Sequence, residues 1–96
     1  MKKRKVRLME EEFSVIGFGC WGLSGPSSWN NSSDEESIKA VNTAVELGVN
    51  FFDVAPVYGF GHAEEILGKA LAGKRHNVLI GTKCGLVWDY QYRIIN

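Results

Sequence analysis

The chain reads as an α/β protein built on a small parallel sheet, and three features carry that reading. Strand-like and helix-like segments alternate at regular spacing from Ser14 to Lys83, and a glycine closes each helix. The later strands, within "VNFFDV" and "NVLIGTK", are short and continuously apolar, which suits strands buried in a parallel sheet with right-handed crossovers.

Taken in order, "VRLMEEEFSVIGFG" predicts a hairpin: a short strand, a turn at Glu10 to Glu12 and a second strand from Ser14 to Gly19, so that hairpin and first strand fill about 1–19. "LSGPSSWNNSSD" has the composition of a loop. It ends on Ser33 and Asp34, good N-caps, with Glu35 and Glu36 in the first turn of a helix over 34–48. Ile38, Val41, Ala44, Val45 and Leu47 mark its apolar face, and Gly48 stops it. A strand over 50–54 breaks at Pro56. A second helix follows over 62–73, with Ile66, Leu67, Ala70 and Leu71 apolar, and then a strand over 77–83. The whole, 1–96, is one domain.

Composition narrows the function. Eleven basic and eleven acidic residues cancel, so net charge suggests neither nucleic acid nor a membrane surface as partner. The run Lys2, Lys3, Arg4, Lys5 and Arg7 is either a basic arm or, lacking interleaved aromatics, a solvated lead into the hairpin. No stretch approaches the ~18 apolar residues of a membrane span, and the basic start meets "LMEEEF" rather than an apolar core, which gives a cytoplasmic expectation. Cys20 and Cys84 have no His or Cys partner at metal spacing, so no metal site is expected and the thiols should be reduced. If they stand at the ends of strands one and three, with strand two between, their Cα atoms lie roughly 9–10 Å apart, beyond bridging distance.

"GFGCWG" meets the spacing G-x-G-x-x-G after a strand, but a dinucleotide fingerprint needs a helix to open at once. A dozen turn-forming residues intervene here, so these glycines read as close-approach positions instead. Asp53, Tyr58 and Lys83 are a better constellation. All three fall at or beyond the carboxyl ends of parallel strands, the face where α/β proteins place their chemistry. Singly, an Asp there caps a turn, a Tyr after Pro packs and a Lys reaches water. Together they make a tyrosine acid beside an ammonium that favours its ionised form, by at most a few kcal/mol at about 4 Å and an effective dielectric near 20. Asp53 would aim that ammonium and partly cancel its field.

With Gly48, Asp53, Ala55, Tyr58, Gly61, Glu64, Leu67, Gly68 and Leu71 at set intervals, and with "IGTKCG" and "IGFGCWGLSG", the chain resembles the aldo-keto reductase family from about Val6 to about Val87. Only "WDYQYRIIN" lacks a strong counterpart. The resemblance implies the N-terminal hairpin and first three strands of a (β/α)8 TIM barrel, incomplete as given. It implies hydride transfer from a nicotinamide cofactor, usually NADPH, to an aldehyde or ketone. Tyr58 would be the proton donor, Lys83 would favour its ionised form and Asp53 would pair with Lys83. Gly19, Cys20, Trp21 and Asp53 would meet the cofactor, and Trp21 and Trp88 would line the substrate pocket unless they merely pack. His62 is expected to be a solvated or capping residue, and Glu64 to accept backbone amides near the helix start.

Such a barrel takes roughly 250 residues. The catalytic histidine and the loops that bind the adenosine phosphate would therefore lie outside these 96 residues. Two expectations stand side by side: the first part of a full reductase, or a non-catalytic fragment or auxiliary subunit that self-associates through open sheet edges.

Overall fold

The sheet at the centre of the computed structural model, which describes residues 1–25 and 33–95, has three parallel strands. A hairpin of β1 (Lys3–Lys5) and β2 (Glu12–Ser14) precedes them. The parallel strands are β3 (Phe18–Gly19), β4 (Phe51–Asp53) and β5 (Leu79–Gly81), in the order β3-β4-β5. Helix α1 (Asp34–Glu46) joins β3 to β4, and α2 (His62–Ala70) joins β4 to β5. A second antiparallel hairpin, β6 (Val87–Trp88) with β7 (Ile94–Ile95), follows β5. The middle of the loop expected over 23–34 lies outside the described residues.

Helix α1 begins on a serine N-cap. The Ser33 hydroxyl accepts from the Glu36 amide at 3.2 Å, and Asp34, Glu35 and Glu36 fill the positive first turn. Val41 and Ala44 are buried, with Ile38 and Val45 partly packed against the core. Leu47, expected on that face, is 68% exposed. At 100° per residue it stands well round the helix from Val41. Helix α2 buries Ala63, Ile66, Leu67 and Ala70 and packs against both α1 and the 3₁₀ turn Cys20–Leu23. Phe52, buried completely, is the hub between helices and sheet; fully burying such a ring contributes about 1.5–3 kcal/mol.

Four other expectations shift. The first strand is the basic run itself, not "VRLM": Arg4 faces Phe13, and Lys5 faces Glu12, one pair of opposite charge across the ladder. The turn accordingly occupies Val6–Glu11, with Leu8 left-handed and nearly fully exposed. The second strand divides into β2 and β3. β5 is half-buried rather than buried because, among the described residues, it pairs on one side only. Lys83 lies two residues past the end of β5 rather than on it.

Candidate active site

The parallel register puts Gly19 and Gly81 beside Asp53, the last residue of β4, at the carboxyl edge of the sheet. Lys83 crosses that edge: its Nζ donates to Asp53 Oδ1 at 2.7 Å and to the Val54 carbonyl at 3.1 Å. The ammonium stands 5.2 Å from the centroid of the Tyr58 ring. The hydrogen bond to Asp53 above all raises the Lys83 pKa; desolvation opposes it, and the nearby Tyr58 adds a smaller rise. Lys83 is therefore a fixed cation at neutral pH. The three residues expected to converge do so.

The loop that presents Tyr58 is held by its own backbone. Pro56 accepts from the Gly61 amide at 2.8 Å, Ala55 from the Tyr58 amide at 3.1 Å and Tyr58 from the Ala63 amide at 3.2 Å. Gly59, Phe60 and Gly61 are all left-handed, with φ of 62°, 53° and 97°. A Cβ at Gly59 would overlap the Ser24 carbonyl, so no other residue fits there. Phe60 holds that conformation with a full side chain, at a cost of about 1–3 kcal/mol.

Trp21 leans on Tyr58, ring centroids 5.4 Å apart, and the two rings wall a cavity of about 300 Å³ that Pro56, Lys83, Cys84 and Leu86 complete. Cys20 is wholly buried, and burial, reinforced by Asp53 and opposed by Lys83, pushes its thiol up to about 12. It can offer the site only its backbone. A Cβ built at Gly19 meets no atom within 4 Å, so open space lies over the backbone next to Asp53. Both cysteines are free thiols, Cys20 buried and Cys84 exposed.

Other residues sit differently from expectation. Trp88 does not line this cavity; it packs edge-on against Phe60 at 5.5 Å. Glu64 accepts from the Thr82 hydroxyl at 3.0 Å, tying α2 to the residue before Lys83, where backbone amides were expected. The His62 Nε2 lies 2.7 Å from Asp34 Oδ1, a half-exposed pair linking the starts of the two helices. The sequence reading passed over Phe60 and Thr82. "YGFG", a bulky residue between two glycines, and the Thr preceding Lys83 are the signals that pointed to them.

Residues 15–94 match the model of the aldo/keto reductase family. The chain belongs to that family. The aldo-keto reductase YhdN of Bacillus subtilis (strain 168) is 42% identical over 79 residues, which are 80% of this chain and 24% of that protein. The NADH-specific methylglyoxal reductase of Escherichia coli (strain K12) is 36% identical over 98 aligned positions, covering all of this chain and 30% of the relative. The holo form of aldo-keto reductase AKR11C1 from Bacillus halodurans superposes with a TM-score of 0.80 at 31% identity, over 93% of this chain and 28% of that one. The chain thus spans 24–30% of the length of these three proteins, and its fold is the corresponding part of a TIM barrel. The family match runs from residue 15 into the tail to residue 94, so "WDYQYRI" falls within it. Among the described residues no helix is long and apolar enough to cross a membrane, and no group of His, Cys, Asp and Glu could hold a metal.

Proposed function

We propose that the full-length protein reduces an aldehyde or ketone to an alcohol with a nicotinamide cofactor, and that Tyr58 is the proton donor. The observation that carries this reading is the single ammonium of Lys83 held between the Asp53 carboxylate and the Tyr58 ring. When bound, a reduced nicotinamide supplies the hydride to the carbonyl carbon. Tyr58 passes its hydroxyl proton to the carbonyl oxygen, and Lys83 stabilises the negative charge left on the phenol oxygen. Asp53 keeps Lys83 aimed, and solvent returns the proton.

The residues at the sheet edge fit a flat, partly polar ring. Open space lies over Gly19, the Cys20 side chain is wholly buried, and Trp21 beside Tyr58 is half-exposed. NADP(H) is the cofactor expected from the resemblance, and the NADH-specific relative makes both cofactors arms of the assay. The walls are aromatic and aliphatic, which suits a small apolar carbonyl compound. Unbridged thiols fit a reducing cytoplasm.

The test is cofactor oxidation by the full-length protein with an aromatic aldehyde, comparing wild type with Tyr58→Phe. The variant should lose about 10²–10⁴ in kcat; equal rates would sink the acid role. Residues 1–96 alone are expected to give no turnover and no tight NADPH binding, and to self-associate through the outer edges of β3 and β5. A micromolar dissociation constant for that segment would overturn this expectation.

A further inference from the structure

Trp21 and Tyr58 wall two adjoining cavities, the one already described and a second, of about 340 Å³, that Phe60 and Ile94 also line. Whatever fixes these two rings therefore shapes the space over the sheet edge. The rings hang on two stretches of backbone, 21–25 and 58–62, that lie outside the strands. The stretches are pressed together at two points. At the first, Gly59 lies so close to the Ser24 carbonyl that a Cβ would overlap it. At the second, a Cβ on Gly25 would stand 3.1 Å from Cδ2 of His62, so the imidazole lies against the backbone just past the 3₁₀ turn.

His62 is fastened on both sides of this contact. Gly61, left-handed at φ 97°, turns the chain into α2 and makes His62 its first residue. The His62 amide donates to the Gly59 carbonyl at 3.2 Å, and the next amide, that of Ala63, donates to the Tyr58 carbonyl at 3.2 Å. The ring reaches the other helix, where Nε2 meets Asp34 Oδ1 at 2.7 Å. A carboxylate can only accept, so Nε2 carries the proton of that bond. Asp34 is the first residue of α1 and follows the N-cap Ser33. One side chain thus touches the exit of the 3₁₀ turn, the entry of α1 and the loop that presents Tyr58. The His62 side chain keeps 32% of its surface exposed and that of Asp34 49%, and a pair this open adds little to global stability. Its effect falls on geometry instead, because small displacements of an orienting group cost more in rate than in stability.

We infer that the His62–Asp34 pair is a latch that positions Tyr58. It holds stretch 58–62 against stretch 21–25, so that the Tyr58 ring keeps its place beside Trp21 and the Lys83 ammonium. His62 lines neither cavity and is a positioning residue. For turnover the latch rests on the reductase reading; for the packing of the two rings it does not.

Two measurements on the full-length protein test it. The first is kcat and KM for benzaldehyde with NADPH and with NADH. The second is the indole N–H resonance of Trp21, assigned with Trp21→Phe and read without turnover. His62→Ala should lower kcat about threefold to tenfold with little change in KM, and should move the Trp21 resonance. His62→Gln, whose side-chain amide can donate to Asp34, should recover most of both. Asp34→Ala cuts the latch from the other helix and should reproduce both changes, so a His62→Ala variant that fails to fold does not end the test. The double variant should be no worse than either single one. Glu35→Ala removes a neighbouring acid from the first turn of α1 and should leave kcat and the resonance unchanged. An unmoved resonance, an unmoved kcat in an active enzyme, a His62→Gln variant as poor as His62→Ala, losses that add in the double variant, or an equal loss in Glu35→Ala overturns the latch. A resonance that moves as expected in a protein whose wild type reduces benzaldehyde with neither cofactor overturns the reductase reading and leaves the latch standing.

Discussion

The two antiparallel hairpins sit at opposite ends of the parallel sheet and are attached by opposite chemistry. The β1–β2 hairpin is tied to the amino ends of the strands by Asn50, whose side chain accepts from the Ser14 amide at 2.7 Å and donates to the Glu12 carbonyl at 2.8 Å. Its faces carry Lys3, Arg4 and Glu12, and neither cavity of the candidate site touches it. The β6–β7 hairpin follows the carboxyl ends and leans on Phe60 through Trp88 and Tyr92. Polar bonds with fixed partners make a closed end. At the other end the contacts are between rings rather than hydrogen bonds to a shared side chain. That contrast predicts which perturbations reach activity and which reach stability alone.

Gly59 gives the most severe break at the carboxyl end. Its φ of 62° and the Ser24 carbonyl in the path of any Cβ mean that Gly59→Val must displace backbone. A loss above about 4 kcal/mol is expected, read as failure to accumulate soluble full-length protein. Gly61 is the control on the same loop: its φ is 97°, but a Cβ there meets nothing within 4 Å. Gly61→Ala should cost only the left-handed strain, about 1–2 kcal/mol. Similar destabilisation by the two would show that the Ser24 contact does not decide the matter. At the amino end, Asn50→Ala removes two hydrogen bonds and should cost about 1–3 kcal/mol, seen in a denaturant midpoint, with kcat/KM unmoved. A matching fall in kcat/KM would contradict the separation of the two ends.

What could be read from sequence follows the same division. Phe52, Ile66 and Leu67 announce themselves because burial imposes a period, and the glycine stop at Gly48 is a backbone requirement with a visible residue. Asp53, Tyr58 and Lys83 could be brought together because parallel strands deliver their carboxyl ends to one edge, even though Lys83 proves to lie beyond its strand. Phe60 is marked locally only by its place between two glycines; that its own backbone is left-handed goes with the tertiary contacts of its ring to Trp88 and Tyr92. The Glu64–Thr82 bond is a similar case: a glutamate near a helix start has a ready local role, and only the packing of α2 beside β5 offers the hydroxyl instead. The first hairpin misled for a different reason. Its strand is charged, and apolar alternation is the signal by which strands are found.

Glu64 supplies a smaller, sharper test of the carboxyl end. Its carboxylate fixes Thr82, and Thr82 precedes the lysine on which the site depends. Under the proposed function Glu64 would be a positioning residue, since it lines neither cavity beside Tyr58. Glu64→Ala should lower kcat several-fold to about tenfold with little change in KM, since small misplacements of a charge-stabilising group act on the transition state. Glu64→Gln, which keeps an oxygen able to accept from Thr82, should recover most of the rate. If Gln is as poor as Ala, the negative charge matters rather than the bond.

The mildest effect concerns the turn that shapes the second hairpin. The bond from the Arg93 amide above all holds the Asp89 carboxyl below its ordinary 3.8; desolvation opposes it, and the Gln91 amide and the Arg93 side chain add to the lowering. A carboxyl lowered on folding stabilises above its unfolded value, and that contribution is lost as pH falls through the lower folded value. The turn should therefore stay closed at neutral pH and loosen only in acid below 3.8. The Trp88 indole resonance, one residue away, should move with a midpoint below that value, and Asp89→Ala should abolish the step. A midpoint at or above it would mean that the rings of Phe60, Trp88 and Tyr92, rather than the Asp89 turn, keep the hairpin closed. Phe60→Ala would then be the variant that opens it, and the wall of the second cavity would depend on stacking alone.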